Sequence, residues 1–234
     1  FVLNKGFEQM RVLLAYPNVN AKIVGTHSGI SIGEDGPSQM SIEDLSLACS
    51  LPGFTVLCPA DEVAMAAHVR LAAAHVGPVF LRAGRAKVPV IYQPDQKFEI
   101  GKAIELIDGS DLTIIATGLM LAEAVRAAEH LEAEGIFARV IDMHTIKPLD
   151  AEAISRAAAE TGAIVVAEEH LADAGLGVRV AQVVAETNPC PMEFVGIQNT
   201  YAESGPSGEL LDKYGLIARD VIAAAYRVMR RKSR

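Results

Sequence analysis

Cysteine is scarce in this 234-residue chain, which holds only Cys49, Cys58 and Cys190. Their scattered spacing builds neither a disulfide framework nor a metal site, which points to buried free thiols in a reducing, cytoplasmic compartment. There is no unbroken apolar run of the roughly 18 residues that a membrane helix needs, and no signal-peptide pattern. Positive charge is in deficit. With 21 Lys and Arg against 29 Asp and Glu the net charge is −8, which argues against a nucleic-acid partner. Only the tail (Arg227, Arg230, Arg231, Lys232, Arg234) is locally basic. No internal repeat or low-complexity tract appears, and the alanine excess is helical filler.

What is present centres on Gly25 to Pro37, GTHSGISIGEDGP, which joins a short apolar strand to a helix. Its glycines allow positive φ and close approach of a ligand to the backbone. His27 offers an imidazole for proton exchange, and the neighbouring Glu34 and Asp35 offer acceptors for hydroxyl groups. Taken alone, the same composition also suits a plain polar connection.

The rest of the chain alternates strand and helix. Val2 to Ala15 has helical spacing, with Phe7, Met10, Leu13 and Leu14 on one face, and Pro17 and Asn18 end it. Lys22 to Val24 is a strand. Ser41 is placed as an N-cap, with Asp44 three positions on. Phe54 to Cys58 and Val79 to Leu81 are strands around a helix whose Val63, Ala66, Ala67, Leu71 and Ala74 face the core. Residues 86–98, AKVPVIYQPDQKF, break the rhythm and mark a domain boundary. Beyond it, strands at Ala103 to Ile107, Leu112 to Ala116, Ala138 to Ile141, Ile164 to Ala167 and Glu193 to Val195 are interleaved with helices. Two more helices close the chain. The expectation is two parallel-sheet α/β domains, the first incomplete, over residues 1–90 and 91–234.

The stretch KIVGTHSGISIGEDGPSQMSIEDL, from Lys22 to Leu45, resembles the pyrimidine-binding domain of transketolase, whose family carries a GTHxGxxxGEDGPTHQ-like loop. FEQMR, LPGFTVLCPAD and GPVFLRAGR fit the same domain. DMHTIKPLD, VVAEEHLADAGLG and YAESGPSGELLDKYGL resemble the family's C-terminal domain, so the likeness runs nearly the whole length. It implies the C-terminal subunit of a two-subunit transketolase, moving a two-carbon ketol unit between sugar phosphates with thiamin diphosphate. An N-terminal partner subunit would hold the diphosphate and Mg²⁺, within a larger assembly that includes self-association. Neither a membrane nor a nucleic acid is implied.

Carried over residue by residue, the resemblance makes His27 a catalytic group near cofactor and substrate. It gives Asp35 a donor hydroxyl and makes Phe1 an aromatic against the aminopyrimidine. The phosphate falls to Arg85, with Arg82 as competitor in LRAGR. Planar guanidinium and phosphate suit each other bidentately. His144 and His170 are assigned structural or interface roles. His68, His75 and His130 are placed on solvated helix faces, and no metal is assigned to Glu168 and Glu169, which point to opposite faces of a strand.

Two departures bear on that reading. Gln39 stands where the family has a histidine, and an amide cannot shuttle a proton near neutrality. The family's upstream G-x-A-E-Q segment, whose glutamate activates the cofactor, precedes the first residue of this chain, so the isolated chain is expected to be inactive. The alternatives are a 1-deoxyxylulose-5-phosphate synthase-like protein, a 2-oxo acid dehydrogenase beta-subunit-like protein, and a non-catalytic assembly or sensing paralogue.

Overall fold

A computed structural model describes residues 1–232. Helix α1 (Val2–Gln9) runs on into a wider π turn over Met10–Ala15. That change of winding breaks the expected apolar stripe: Met10 is buried, but Leu13 is 61% exposed. A sheet of order β1-β3-β2-β7 follows, built from β1 (Lys22–Gly25), β2 (Thr55–Leu57), β3 (Val79–Arg82) and β7 (Thr145–Lys147). β1, β3 and β2 are parallel, with Ile23 and Val56 flanking Phe80 in register. α2 (Asp44–Ser50) and α3 (Glu62–Ala74) make the crossovers.

The second sheet has the order β4-β6-β5-β8-β9, from β4 (Ile104–Ile107), β5 (Leu112–Ala116), β6 (Ala138–Asp142), β8 (Ile164–Leu171) and β9 (Met192–Ile197). Helices α4 (Met120–Ala133), α5 (Ala151–Thr161), α6 (Leu176–Glu186), α7 (Ser207–Lys213) and α8 (Ala218–Lys232) complete this half. β5 and β8 are buried along their apolar runs, as central parallel strands covered on both faces should be. The α/β class with two sheets stands. Each sheet carries one antiparallel edge strand, β7 against β2 and β4 against β6.

β7 was not expected. The run Thr145-Ile146-Lys147 is too short for periodicity to mark it, yet it leaves the second half of the chain to extend the first sheet. Lys147 Nζ then donates to the carbonyls of Cys49 and Leu51 at 2.9 and 2.6 Å. A hydrophobic cluster spans the junction, with Leu45, Val56 and Phe80 from one side and Ile146, Val166 and Leu176 from the other.

Three other expectations change. Ser41 caps no helix: α2 begins at Asp44, and the Ser41 carbonyl accepts the Gly29 N–H (2.8 Å) and an Arg82 Nη2 hydrogen (3.2 Å). The buried face of α3 is Ala64, His68 and Ala72, not the stripe through Val63 and Leu71. His68 is therefore fully buried rather than solvated. The α3 N-cap is Asp61, whose Oδ1 accepts the Ala64 N–H while Oδ2 accepts those of Ile91 and Tyr92. One carboxylate thus starts a helix and straps the 86–98 segment across it. Among the described residues no helix is long and apolar enough to cross a membrane.

Candidate functional site

The glycine loop sits past the carboxyl end of β1, where parallel α/β sheets present ligand-binding crevices. It turns away from the strand at His27, which has φ 61°, a left-handed conformation uncommon outside glycine but accessible to histidine. Gly29 N–H bonds to Ser41 O, so the loop is closed at its base. Beyond the base, Ile30–Ile32 forms one 3₁₀ turn, and Gly33 and Gly36 reverse the chain at φ 83° and 80°. Main-chain bonds hold it tightly, with Gly33 to Ile30 and Gln39 to Gly36 both at 3.0 Å.

A cavity of about 300 Å³ opens above β1 and this loop. Phe1, Val24, His27, Asp35 and Gln39 line it, with Phe80 and Asp44 at its floor. Four residues expected at the site, far apart along the loop and at the chain's first position, therefore share one cleft. His27 Nδ1 is 2.9 Å from Thr26 Oγ1, so Nε2 is the nitrogen available for exchange with a bound group. Glu34 is exposed and does not line the cleft.

The two arginines of LRAGR have different fates. Arg85 reaches over the rim, where Nη1 donates to Asp35 Oδ2 at 3.0 Å and to the Ile32 carbonyl at 3.1 Å. Both partners of that ion pair are about half exposed, at 46% and 49%, so the pair is weak and open to exchange. Arg82 lies beneath the loop at 4% exposure. Its Nε and Nη2 donate to Asp44 at 2.7 and 3.1 Å, and Nη2 also reaches Ser41 O and Glu169 O. A guanidinium engaged in this way holds backbone together, whereas Arg85 is half exposed and touches the cleft only through Ile32 and Asp35.

Sequence reasoning missed what packs under the loop, a buried charge cluster contributed by both halves. Glu169 Oε1 accepts the Ser31 N–H at 2.7 Å. Glu168, on the opposite face of β8, accepts Leu176 N–H and Gly177 N–H at the start of α6, at 2.7 and 2.8 Å. Burial raises both carboxyls to about 7, against the pull of their N–H donors and of Arg82. His170 is fully buried between them and Asp44, its pKa lowered first by burial and then by Arg82. The one signal available in the sequence was a pair of acids continuing the apolar run Ile164 to Ala167 without a turn.

A second buried group joins the halves farther out. His68 Nδ1 donates to the Ala64 carbonyl at 2.6 Å, so its Nε2 accepts from His144 Nδ1 at 2.8 Å. Phe98 packs edge-on against both rings. Burial, then the neighbouring imidazole, lowers His144 to about 3, so the pair is neutral and structural.

Two α/β halves with a glycine-loop cleft over the first sheet define the class of the chain: a two-domain α/β protein whose candidate site lies at the carboxyl end of a parallel sheet. The transketolase pyrimidine-binding domain matches residues 3–90, and the transketolase C-terminal domain matches residues 101–221. The chain belongs to the transketolase family. It is 39% identical over its whole length to the 6-deoxy-6-sulfo-D-fructose transketolase subunit SqwH of Clostridium sp. (strain MSTE9), covering 72% of that protein. It is 41% identical to an apulose-4-phosphate transketolase subunit of Phocaeicola vulgatus, over 92% of this chain and 69% of the relative. Among solved structures it superposes on a split-gene transketolase described as an inactive beta4 tetramer, with TM-score 0.91 and 44% identity, over 99% of this chain and 74% of that one.

Proposed function

We propose that the chain is the C-terminal subunit of a split transketolase that acts with a diphosphate-binding partner subunit. The observation that carries this is the convergence of Phe1, His27, Asp35 and Gln39 on one cleft, with Arg85 tied to Asp35 at its rim. The relatives named as transketolase subunits support it.

The cleft fits the aminopyrimidine of thiamin diphosphate. A flat ring needs apolar contact on its faces and hydrogen bonding at its edge. Phe1 and Val24 stand exposed at the mouth, 63% and 48%, and Phe80 forms the floor. His27 and Ser28 supply polar atoms, while the diphosphate and Mg²⁺ fall to the partner subunit. The bound cofactor supplies the carbon nucleophile and electron sink for breaking and making the C–C bond.

The chain's own residues do the rest. His27 Nε2 exchanges a proton with a sugar oxygen as charge develops there. Asp35, acceptor-only when ionised, fixes a donor hydroxyl. Gln39 bonds a further oxygen without changing charge. Arg85 exchanges its weak partner for the sugar's terminal anion, gaining a charge-assisted fork. The relatives' names cover one sulfonated and one phosphorylated sugar, and an outward guanidinium suits either anion.

The test is ketol transfer by a chain that includes the family's G-x-A-E-Q segment, assembled with its partner, using paired phosphorylated and free ketose donors. Transfer that is lost in His27→Ala and becomes indifferent to phosphate in Arg85→Ala supports the assignment. Absence of transfer by the wild-type assembly, with cofactor bound, favours an assembly or sensing role.

A further inference from the structure

We propose that Glu169 is a positioning residue, the strut by which the second half of the chain sets the loop carrying His27, Asp35 and Gln39. Its kinetic consequences rest on the sugar-transfer reading above; its geometry does not.

The loop is tied at its base by the Gly29–Ser41 bridge, by Arg82 between Ser41 O and Glu169 O, and by Leu171 N–H on Ile42 O at 3.0 Å. Above that base, among the described residues, its side-chain anchor from below is the Glu169 carboxylate on Ser31 N–H. The contact is close enough to exclude any side chain at position 29: a Cβ on Gly29 would lie 2.0–2.3 Å from the Glu169 carboxyl atoms. Glu169 is 3% exposed and Arg82 is 4%, so the arrangement is fixed by packing from both halves. Ser31 and Glu169 also line a separate cavity of about 190 Å³ beneath the loop, so the loop has room to sink if the strut is removed.

The strut changes charge where a sugar-transferring enzyme works. Burial raises the carboxyl to about 7, opposed by Arg82 and by the Ser31 N–H it accepts. The charged groups around it are Arg82 from β3, Asp44 from α2, Glu168 and His170 from β8, and Asp61 and Glu62 across the lower cavity. An ionised carboxylate accepts the Ser31 N–H more strongly than a neutral one, so this one contact tightens as the carboxyl ionises, even though burial makes the charged form the costlier one for the fold as a whole.

Glu169→Gln keeps shape and acceptor but abolishes the charge change; Glu169→Ala removes the strut. A chain that includes the G-x-A-E-Q segment, assembled with its partner subunit, is assayed for kcat/KM against pH, and for amide hydrogen exchange over residues 27–40 and over α8. We expect Glu169→Gln to lower kcat/KM about tenfold and to flatten the limb of the pH profile near 7. Exchange over residues 27–40 should quicken by about tenfold in Glu169→Ala, with α8 unchanged. Unaltered exchange over residues 27–40 in both variants overturns the proposal, as does equal acceleration in α8, which would mark a general loss of packing. Should Glu169→Ala fail to fold, Glu169→Gln alone decides through the pH limb and its exchange. Should the wild-type assembly transfer no ketol, the reaction assignment falls, while the exchange result still decides the strut.

Discussion

Arg82 and Arg85 lie three positions apart and do opposite work, and the difference is burial. In a buried pair such as Arg82–Asp44, removing one partner leaves an uncompensated charge, which costs about 3–5 kcal/mol. Arg82→Ala should therefore lower the unfolding free energy by about that amount in urea titration, with an unchanged m value. Arg85→Ala should leave stability within about 0.5 kcal/mol, because half-exposed ion pairs contribute little. The sequence offered both arginines for one role, since residue type and spacing say nothing of depth. Depth came from Glu169 and Ser41, whose carbonyls reach Arg82 from other parts of the chain. Gln39 was legible as a departure, and Gln39→His should shift the preference among ketose donors by up to about tenfold, measured as paired kcat/KM values.

Local patterns placed most strands and helices, because central strands such as β5 and β8 are short apolar runs bounded by turn residues. The pattern failed where tertiary contacts rule. α3 is alanine-rich on every side, so hydrophobicity could not orient it, and the buried face is decided by His68 meeting His144. β7 has three residues and exists because β2 offers it an open edge. The segment YAESGPSGEL, at residues 201–210, was legible only as part of the family's C-terminal domain, and its contact with the glycine loop shows only in the structure. A side chain at Gly36 would overlap Ser204 Oγ, 2.4 Å away, and one at Gly33 would press on Gly205 O at 3.1 Å. Gly36→Ala should accordingly clash with Ser204 and strain a backbone at φ 80°. The expected result is a loss of more than about 1 kcal/mol in thermal or urea unfolding, together with a weaker KM for the sugar donor.

At the scale of the molecule, the two halves are joined by buried ionisable groups, and these set its response to pH. Asp142, Glu168 and Glu169 are raised to about 7 by burial, so they hold protons more tightly in the folded state. Their contribution to stability is complete below the ordinary carboxylate range and is lost as pH rises through about 7. His68, His144 and His170 are lowered by burial; theirs is complete above the ordinary imidazole value and is lost as pH falls, toward about 3 for His144. Between those ranges the two sets oppose each other, and below about pH 4 only the histidine loss remains. Unfolding free energy from urea titration should thus change little between about pH 5.5 and 7 and drop at about pH 4. A steep slope over the upper range would show that one set is not held neutral. None of this was visible in the sequence, where His68 looked solvated and the acids looked like any strand end.

The central claim is that this cleft handles an anionic sugar alongside thiamin diphosphate contributed in part by a second subunit. The most direct measurement is kcat/KM of the assembled enzyme for a phosphorylated ketose and its free counterpart, in wild type and in Arg85→Ala. A charge-assisted hydrogen bond contributes roughly 1.5–3 kcal/mol, about 10- to 100-fold in rate. The account predicts that wild type prefers the phosphorylated donor by about that factor and that Arg85→Ala erases the preference while transferring from the free sugar at a similar rate. A preference that survives intact in Arg85→Ala would contradict it.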